Sequence, residues 1–160
     1  MSQPLRVLLD TNVWLAAFDG ARPRSREANE LIDVCERARI DLLYAAVSAK
    51  DVFYLVGASL KRQARATSER LSESQVRAVS TYAVACITNR TEVATAVGMD
   101  VSDIWLARKY QRIHTDFEDC LVLAAAQRAR VDYLVTSDES LFRHAPVAAL
   151  SVADFLALVG

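Results

Sequence analysis

The sequence predicts an α/β fold: a mostly parallel sheet of four to five strands with helices covering both faces. Three observations predict it. Short apolar runs that stop at polar turn-formers alternate with helical apolar patterns, as expected for strands joined by crossover helices. The chain has only 4 glycines and 3 prolines in 160 residues, too few for the turn-rich connections of a sandwich or barrel. A hydrophobic fraction of 52% argues against disorder and is enough for one buried core. Residues 1–160 therefore read as a single domain.

The elements follow in order. Residues 5–9 are an apolar run ending abruptly at Asp10-Thr11-Asn12, the pattern of a buried parallel strand. Residues 13–18 begin a short helix, and 19–24, with Gly20 and Pro23, form a loop. Ser25 is expected to cap a helix running to about residue 37, with Ala28, Leu31, Ile32 and Cys35 on its apolar stripe. Residues 40–46 are the second strand. Ser48 is then expected to cap a helix that carries Asp51 and turns Val52, Leu55 and Val56 inward. Ser72-Glu73-Ser74-Gln75 is a capping box opening a helix through Val76, Val79, Tyr82 and Ile87. Residues 92–97 read as a third strand, and Ser102 opens a helix with Ile104, Trp105, Ala107 and Arg108. Asp116 begins a very apolar helix over 117–129. Residues 131–135 are the fourth strand, terminated by Thr136-Ser137-Asp138. A short helix over 139–143, a brief strand at 148–150 and a Ser151-capped helix complete the chain.

Composition excludes several function classes. Cys35, Cys86 and Cys120 form no C-x-x-C pair and read as small core residues, so neither a disulfide framework nor a zinc ribbon is expected. No signal-peptide pattern and no bilayer-length apolar run is present, which predicts a soluble cytoplasmic protein. Glycine-rich dinucleotide and P-loop motifs are absent. Neither a Cys/His arrangement nor a Ser/His/Asp triad is supported, and His114 and His144 read as exposed or dipole-pairing residues near helix ends. Trp14, Trp105, Phe53 and Tyr54 read as core aromatics. The formal charge is −1; setting aside the five acids Asp10, Asp51, Asp116, Asp119 and Asp138 turns it into +4. Basic residues cluster at Arg22, Arg24 and Arg26, at Lys61, Arg62 and Arg65, and at Arg108, Lys109 and Arg112. Each cluster reads as a solvated face, or as a phosphate holder if it borders an acidic cleft.

The acids carry the chemical argument. Asp10 ends the first strand and Asp138 follows the fourth, and right-handed crossovers bring both strand ends to one edge of the sheet. Ligand crevices in such sheets lie beyond that carboxyl edge. Asp116 and Asp119 share a face at the start of a helix, where its positive end favours carboxylates. Asp51 lies in the first turn of the helix after the second strand. Carboxylates gathered at one place repel unless a cation sits among them. Hard oxygen ligands without Cys or His select Mg²⁺ or Mn²⁺ rather than zinc. Metals so held suit phosphodiester hydrolysis by activated water.

With Val7-Leu8-Leu9-Asp10-Thr11-Asn12-Val13, Asp116-Phe117-Glu118-Asp119-Cys120-Leu121-Val122-Leu123-Ala124-Ala125-Ala126 and Asp132-Tyr133-Leu134-Val135-Thr136-Ser137-Asp138 in that order, the chain resembles the PIN-domain family. In particular it resembles the VapC-like ribonuclease toxins of type II toxin–antitoxin pairs. The resemblance implies a three-layer α/β/α sandwich and a Mg²⁺-dependent endoribonuclease, with Mn²⁺ as substitute. It implies Asp10, Asp119 and Asp138 as metal ligands, and Asp10, Asp51, Asp119 and Asp138 as the catalytic acids. Asn12, Asp116 and Thr136 would support them. Asp51 stands where the family usually has glutamate. RNA as substrate, a cognate antitoxin and a homodimer are implied as partners. Two other classes stay open: a catalytically weak RNA- or protein-binding module, and, ranked last, a phosphatase using Asp10 as nucleophile.

Overall fold

Strand β1 (Arg6–Leu9) is apolar on both faces, and only a strand flanked on both sides and covered on both faces can bury such a run. The computed structural model, which describes residues 3–67 and 70–160, places β1 at the centre of a five-stranded sheet of order β3-β2-β1-β4-β5. The other strands are β2 (Asp41–Ala45), β3 (Thr95–Val97), β4 (Tyr133–Val135) and β5 (Ala148–Leu150), and every pairing is parallel. Leu8 stands opposite Leu43 on one side and Leu134 on the other. The expected 1–160 unit includes Met1, Ser2, Ser68 and Glu69, which lie outside the described residues.

Among the described residues, seven α-helices complete two covering layers: α1 (Thr11–Phe18), α2 (Ser25–Ala38), α3 (Ala49–Arg65), α4 (Glu73–Val93), α5 (Val101–Tyr110), α6 (Phe117–Arg128) and α7 (Val152–Val159). The period of two along a strand sorts side chains between the layers. Val7, Leu9, Leu42 and Tyr44 pack on the side of α1, α2, α3, α4 and α7. Leu8, Leu43, Ala45 and Leu134 pack on the side of α5 and α6. The result is the expected three-layer α/β/α sandwich, with all five strands parallel. Among the described residues no helix is long and apolar enough to cross a membrane.

Local expectations succeed where the cap motif is complete. Ser72 and Gln75 close the capping box of α4, and Ser151 caps α7. Ser25 and Ser48 were expected to cap their helices and Ser102 to open one; Ser25 is the first residue of α2, Ser102 the second of α5, and Ser48 holds the N-cap position of α3 without a side-chain cap bond. Before α2, Arg24 takes the left-handed conformation (φ 64°) with no side-chain cap. Asp100, reciprocated by Asp103, caps α5 in place of Ser102. Ser48 points away from α3: its hydroxyl donates to the Ala45 carbonyl at 2.8 Å and accepts from Arg90 at 3.1 Å.

The third strand is shorter than expected because α4 continues through Val93, and Val93-Ala94 fits a helix end as well as a strand start. Leu55, Val76 and Tyr82 are exposed, since α3 buries Val52, Val56 and Ser59 while α4 buries Ala83, Cys86 and Arg90. Tyr54 and Trp105, expected in the core, are each 64% exposed, whereas Trp14 is fully buried. The three cysteines are free and buried, as expected of core residues.

The central strand sets one test. Leu8 is completely buried between Leu43, Leu134 and α6. Leu8→Ala is expected to destabilise the protein by about 2–5 kcal/mol in chemical denaturation. Leu8→Ile should cost less than about 1.5 kcal/mol. Equal losses for the two would show that the interior is not close-packed at this strand.

Candidate functional site

The chain order of the strands reverses between β1 and β4, and in open parallel sheets the ligand crevice forms at such a reversal. Asp10 leaves the carboxyl end of β1 there and becomes the N-cap of α1. Its backbone N–H donates to the Val135 carbonyl at 2.9 Å, which ties it to the end of β4. The carboxylate is 3% exposed and is held by three donors. Oδ1 accepts from the Thr11 N–H at 2.7 Å, and Oδ2 from Asn12 Nδ2 and Thr136 Oγ1, each at 2.7 Å.

Thr136, fully buried just after β4, is the hub of this lattice. Its hydroxyl donates to Asp10 and accepts from the Asp138 N–H at 3.0 Å and from Asn12 Nδ2 at 3.2 Å. Asn12 Oδ1 accepts the Ser137 N–H at 3.0 Å, so both ends of the amide are committed and its orientation is set. Asp138 caps the 3₁₀ turn Glu139–Phe142 by accepting from the Ser140 N–H at 2.8 Å. The lattice therefore joins Asp10, Asn12, Thr136 and the backbone of Asp138.

Helix α6 brings the next acids. Asp116 is its N-cap, accepting from the Glu118 and Asp119 N–H groups at 2.8 and 3.4 Å. Asp119, half-buried in the first turn, is pushed up to about 7, first by burial and then by the charges of Asp10, Asp116, Asp138 and Glu118. Asp10 is also raised: burial outweighs the donors from Thr136, Thr11 and Asn12, and the charge of Asp138 adds to the rise. Four of the five expected acids thus share one electrostatic field.

Asp51 sits at its margin. It lies 3.8 Å from Lys50 and does not figure among the charges acting on Asp119. It does act on Glu118, whose carboxyl is raised by burial, then by Asp51, Asp116 and Asp10, against the lowering influence of Lys50. Glu118 is an acid of this cleft that the sequence reading passed over. The available signal was the triplet Asp116, Glu118 and Asp119 in one helical turn, of which only the outer pair was weighed.

His114, expected to be exposed or to pair with a helix dipole, is 6% exposed and its Nε2 has no hydrogen-bond partner among the described residues. The turn between α5 and α6 folds it inward, and its carbonyl receives the Cys120 thiol at 3.6 Å. His144 is exposed, as expected.

Among the described residues no group of three or more His, Cys, Asp or Glu side chains is already drawn in to the spacing of a metal cage. The donor set nevertheless fits a hard divalent cation. It is built of oxygens alone, its carboxylates repel one another, and protein donors fill three of the about four acceptor positions of Asp10, leaving one on Oδ1. Mg²⁺ keeps several waters and needs only one or two carboxylates, so a closed protein cage is not required.

A family model described as PIN domain matches residues 6–140. No curated protein sequence matches the chain. Among solved structures, the fold resembles VapBC2 from Rickettsia felis bound to a DNA fragment from its promoter. That likeness has a TM-score of 0.64 at 12% identity, covering 92% of this chain and 98% of the other. VapBC-1 from nontypeable Haemophilus influenzae is similar with a TM-score of 0.61 at 12% identity, over 93% and 99% of the two chains. Mycobacterium tuberculosis VapC20, described as a sarcin–ricin loop cleaving toxin, gives 0.57 at 14% identity, over 80% and 86%. At these identities the likeness is one of fold. The matched span of the family model contains β1, α6 and β4 with every acid discussed above, and the chain belongs to the PIN-domain family.

Proposed function

We propose that the chain is a Mg²⁺- or Mn²⁺-dependent endoribonuclease, acting as one 160-residue unit in the cytoplasm as the toxin of a toxin–antitoxin pair. The observation that carries this reading is the coupling of Asp119 to Asp10 and Asp138, carboxylates from three separate segments whose mutual repulsion a cation would relieve. RNA as substrate is supported by the fold likeness to a toxin described as cleaving the sarcin–ricin loop. An antitoxin partner is supported by the likeness to VapBC complexes. A homodimer remains part of the proposal.

Asp10, Asp119 and Asp138 would hold the ion, with Asp10 using the free position on Oδ1. When bound, the cation supplies charge neutralisation at the phosphodiester and lowers the pKa of water in the cleft. Thr136 and Asn12 keep Asp10 from turning, as partners of a ligand do in metal sites generally. Asp116 holds the first turn of α6, and so the position of Asp119, through its two N–H contacts. Asp51 and Glu118 line the outer edge, where they would meet substrate or a second ion. The second reading, a binding module of weak activity, draws on the pairing of Asp51 with Lys50 and predicts no uptake of Mn²⁺ at the cleft.

Cleavage of a structured RNA with Mn²⁺ tests the proposal. Asp10→Asn and Asp119→Asn are each expected to lower the rate by more than about 10- to 100-fold, the loss seen even for second partners of metal ligands, while circular dichroism stays unchanged. Full activity in either variant would refute the mechanism.

A pH titration tests the electrostatics without turnover. In the chelated protein, a carboxyl lifted to about 7 opposes folding once it ionises. Its favourable contribution is complete below the unfolded value near about 4 and gone above the folded one. Between those limits the melting temperature of the native chain should fall relative to that of Asp119→Asn, and Mn²⁺ at pH above about 7 should restore it. Parallel curves across the range would remove Asp119 from the repulsive field.

A further inference from the structure

Helix α5 buries Asp103, Ala107 and Tyr110 and turns its opposite face to solvent. Trp105, Arg108 and Lys109 lie on that face, three and four residues apart, and Arg112 follows in the turn just after the helix. Together they line a surface recess of about 410 Å³. Trp105 is 64% exposed, and the Lys109 ammonium lies 6.0 Å from its ring centroid. Among the described residues none of the three cations is within ion-pair distance of a carboxylate. A large indole left in water beside unpaired cations contributes little to the fold. It is the combination that single-stranded nucleic acid requires, a stacking plane with cations spaced for phosphates.

The recess also lies at the right end of the molecule. Arg128, at the end of α6, pairs with Asp100 and Asp103 at the start of α5 and donates to the Gly98 carbonyl. The two helices therefore run antiparallel, and the closing turns of α5 stand beside the opening turn of α6. The end of α5 that carries Arg108 and Lys109 is joined by residues 111–116, Arg112 among them, to the opening of α6, whose cap and first turn carry Asp116, Glu118 and Asp119. The exposed residues Ile113 and Phe117 connect the two regions. Positive charge beside an acidic cleft is what a polyanion needs if its scissile phosphate is to approach carboxylates that repel it.

We propose that this face of α5 is the docking site for a single-stranded segment of the RNA substrate, with Trp105 stacking on a base and Arg108, Lys109 and Arg112 holding successive phosphates. The proposal rests on the nuclease reading for the identity of the polymer and is tested without cleavage. The probe is a fluorescein-labelled single-stranded RNA, titrated by anisotropy in excess EDTA at several salt concentrations. Trp105→Ala should weaken binding by about 5- to 150-fold, the range for loss of one stacked base, and Trp105→Phe should recover most of it. Replacing Arg108, Lys109 and Arg112 together by Gln should flatten the salt dependence by about two logarithmic units of slope, at roughly 0.7 per phosphate. Stacking should also quench the native chain's exposed Trp105, leaving the emission of buried Trp14.

Affinity and salt slope unchanged in both the Trp105→Ala and triple-Gln variants would overturn the proposal and leave an acidic protein surface as the occupant of the recess. Because all substituted side chains are exposed, melting temperatures are expected to match the native chain, which excludes misfolding as the cause of lost binding. Loss of binding in these variants, with no cleavage by the native chain in Mn²⁺, would sustain the docking site and sink the nuclease. Cleavage by the native chain with unaffected binding in the variants would do the reverse.

Discussion

A carboxylate that is 3% exposed is the constraint around which this molecule is arranged. An ionised group cannot be removed from water without compensation, and in this protein the compensation is geometric. Thr11 supplies a helix-start N–H, Asn12 an amide from the next residue and Thr136 a hydroxyl from the neighbouring strand. The first two are local to the turn after β1, whereas the Thr136 hydroxyl is available only because β1 and β4 are adjacent and in register, with the Asp10 N–H on the Val135 carbonyl. The adjacency of those strands and the position of the acid are therefore one fact. The compensation is incomplete, since burial still raises the carboxyl above its ordinary range.

The remaining acids are placed by helix ends rather than by hydrogen bonds to side chains. Asp116 satisfies N–H groups at the start of α6, and the positive end of the helix favours the carboxylates of Glu118 and Asp119 in its first turn. Burial first, and then the charges of Asp10, Asp116, Asp138 and Glu118, still raise Asp119 to about 7. Carboxylates gather at the opening of α6, while Arg108 and Lys109, with no ion pair among the described residues, stand on the closing turn of α5. Arg128 fixes this arrangement from the far end, because its pairing with Asp100 and Asp103 determines which end of α5 meets which end of α6.

Legibility in the sequence followed how local each determinant was. Asp10, Thr136 and Asp138 could be located because an apolar run followed by a polar triplet defines a strand end, and strand ends of a parallel sheet share an edge. The capping box at Ser72 was visible because both of its partners lie within one turn. The side-chain caps expected of Ser25 and Ser48 do not form, because one serine before an apolar run is only half of such a motif. Trp105 was assigned to the core on hydrophobicity alone, although its position relative to Ala107 and Tyr110 puts it on the opposite face. Glu118 escaped because helical spacing singled out Asp116 and Asp119, whereas charge acts through space regardless of spacing.

Arg90 shows most clearly what could not be read. A fully buried arginine is ordinarily explained by a carboxylate, and no ion pair to it is found among the described residues. Its guanidinium instead lies 4.0 Å from the Tyr44 ring centroid and 6.0 Å from that of Trp14, and donates to the Ser48 hydroxyl. Aromatic faces attract a desolvated guanidinium strongly enough to substitute in part for an anion. Burial still lowers the Arg90 pKa, and Nε and Nη2 have no partner among the described residues. The three contacts come from β2, α1 and the turn ahead of α3, none of them near Arg90 in sequence. The same guanidinium thus ties α4 to the segment that leads into Asp51 and to the helix that Asp10 caps. Asp10 at the cap of α1 and Arg90 against Trp14 within it are two charges of opposite sign, both almost wholly removed from water, that hold the same helix.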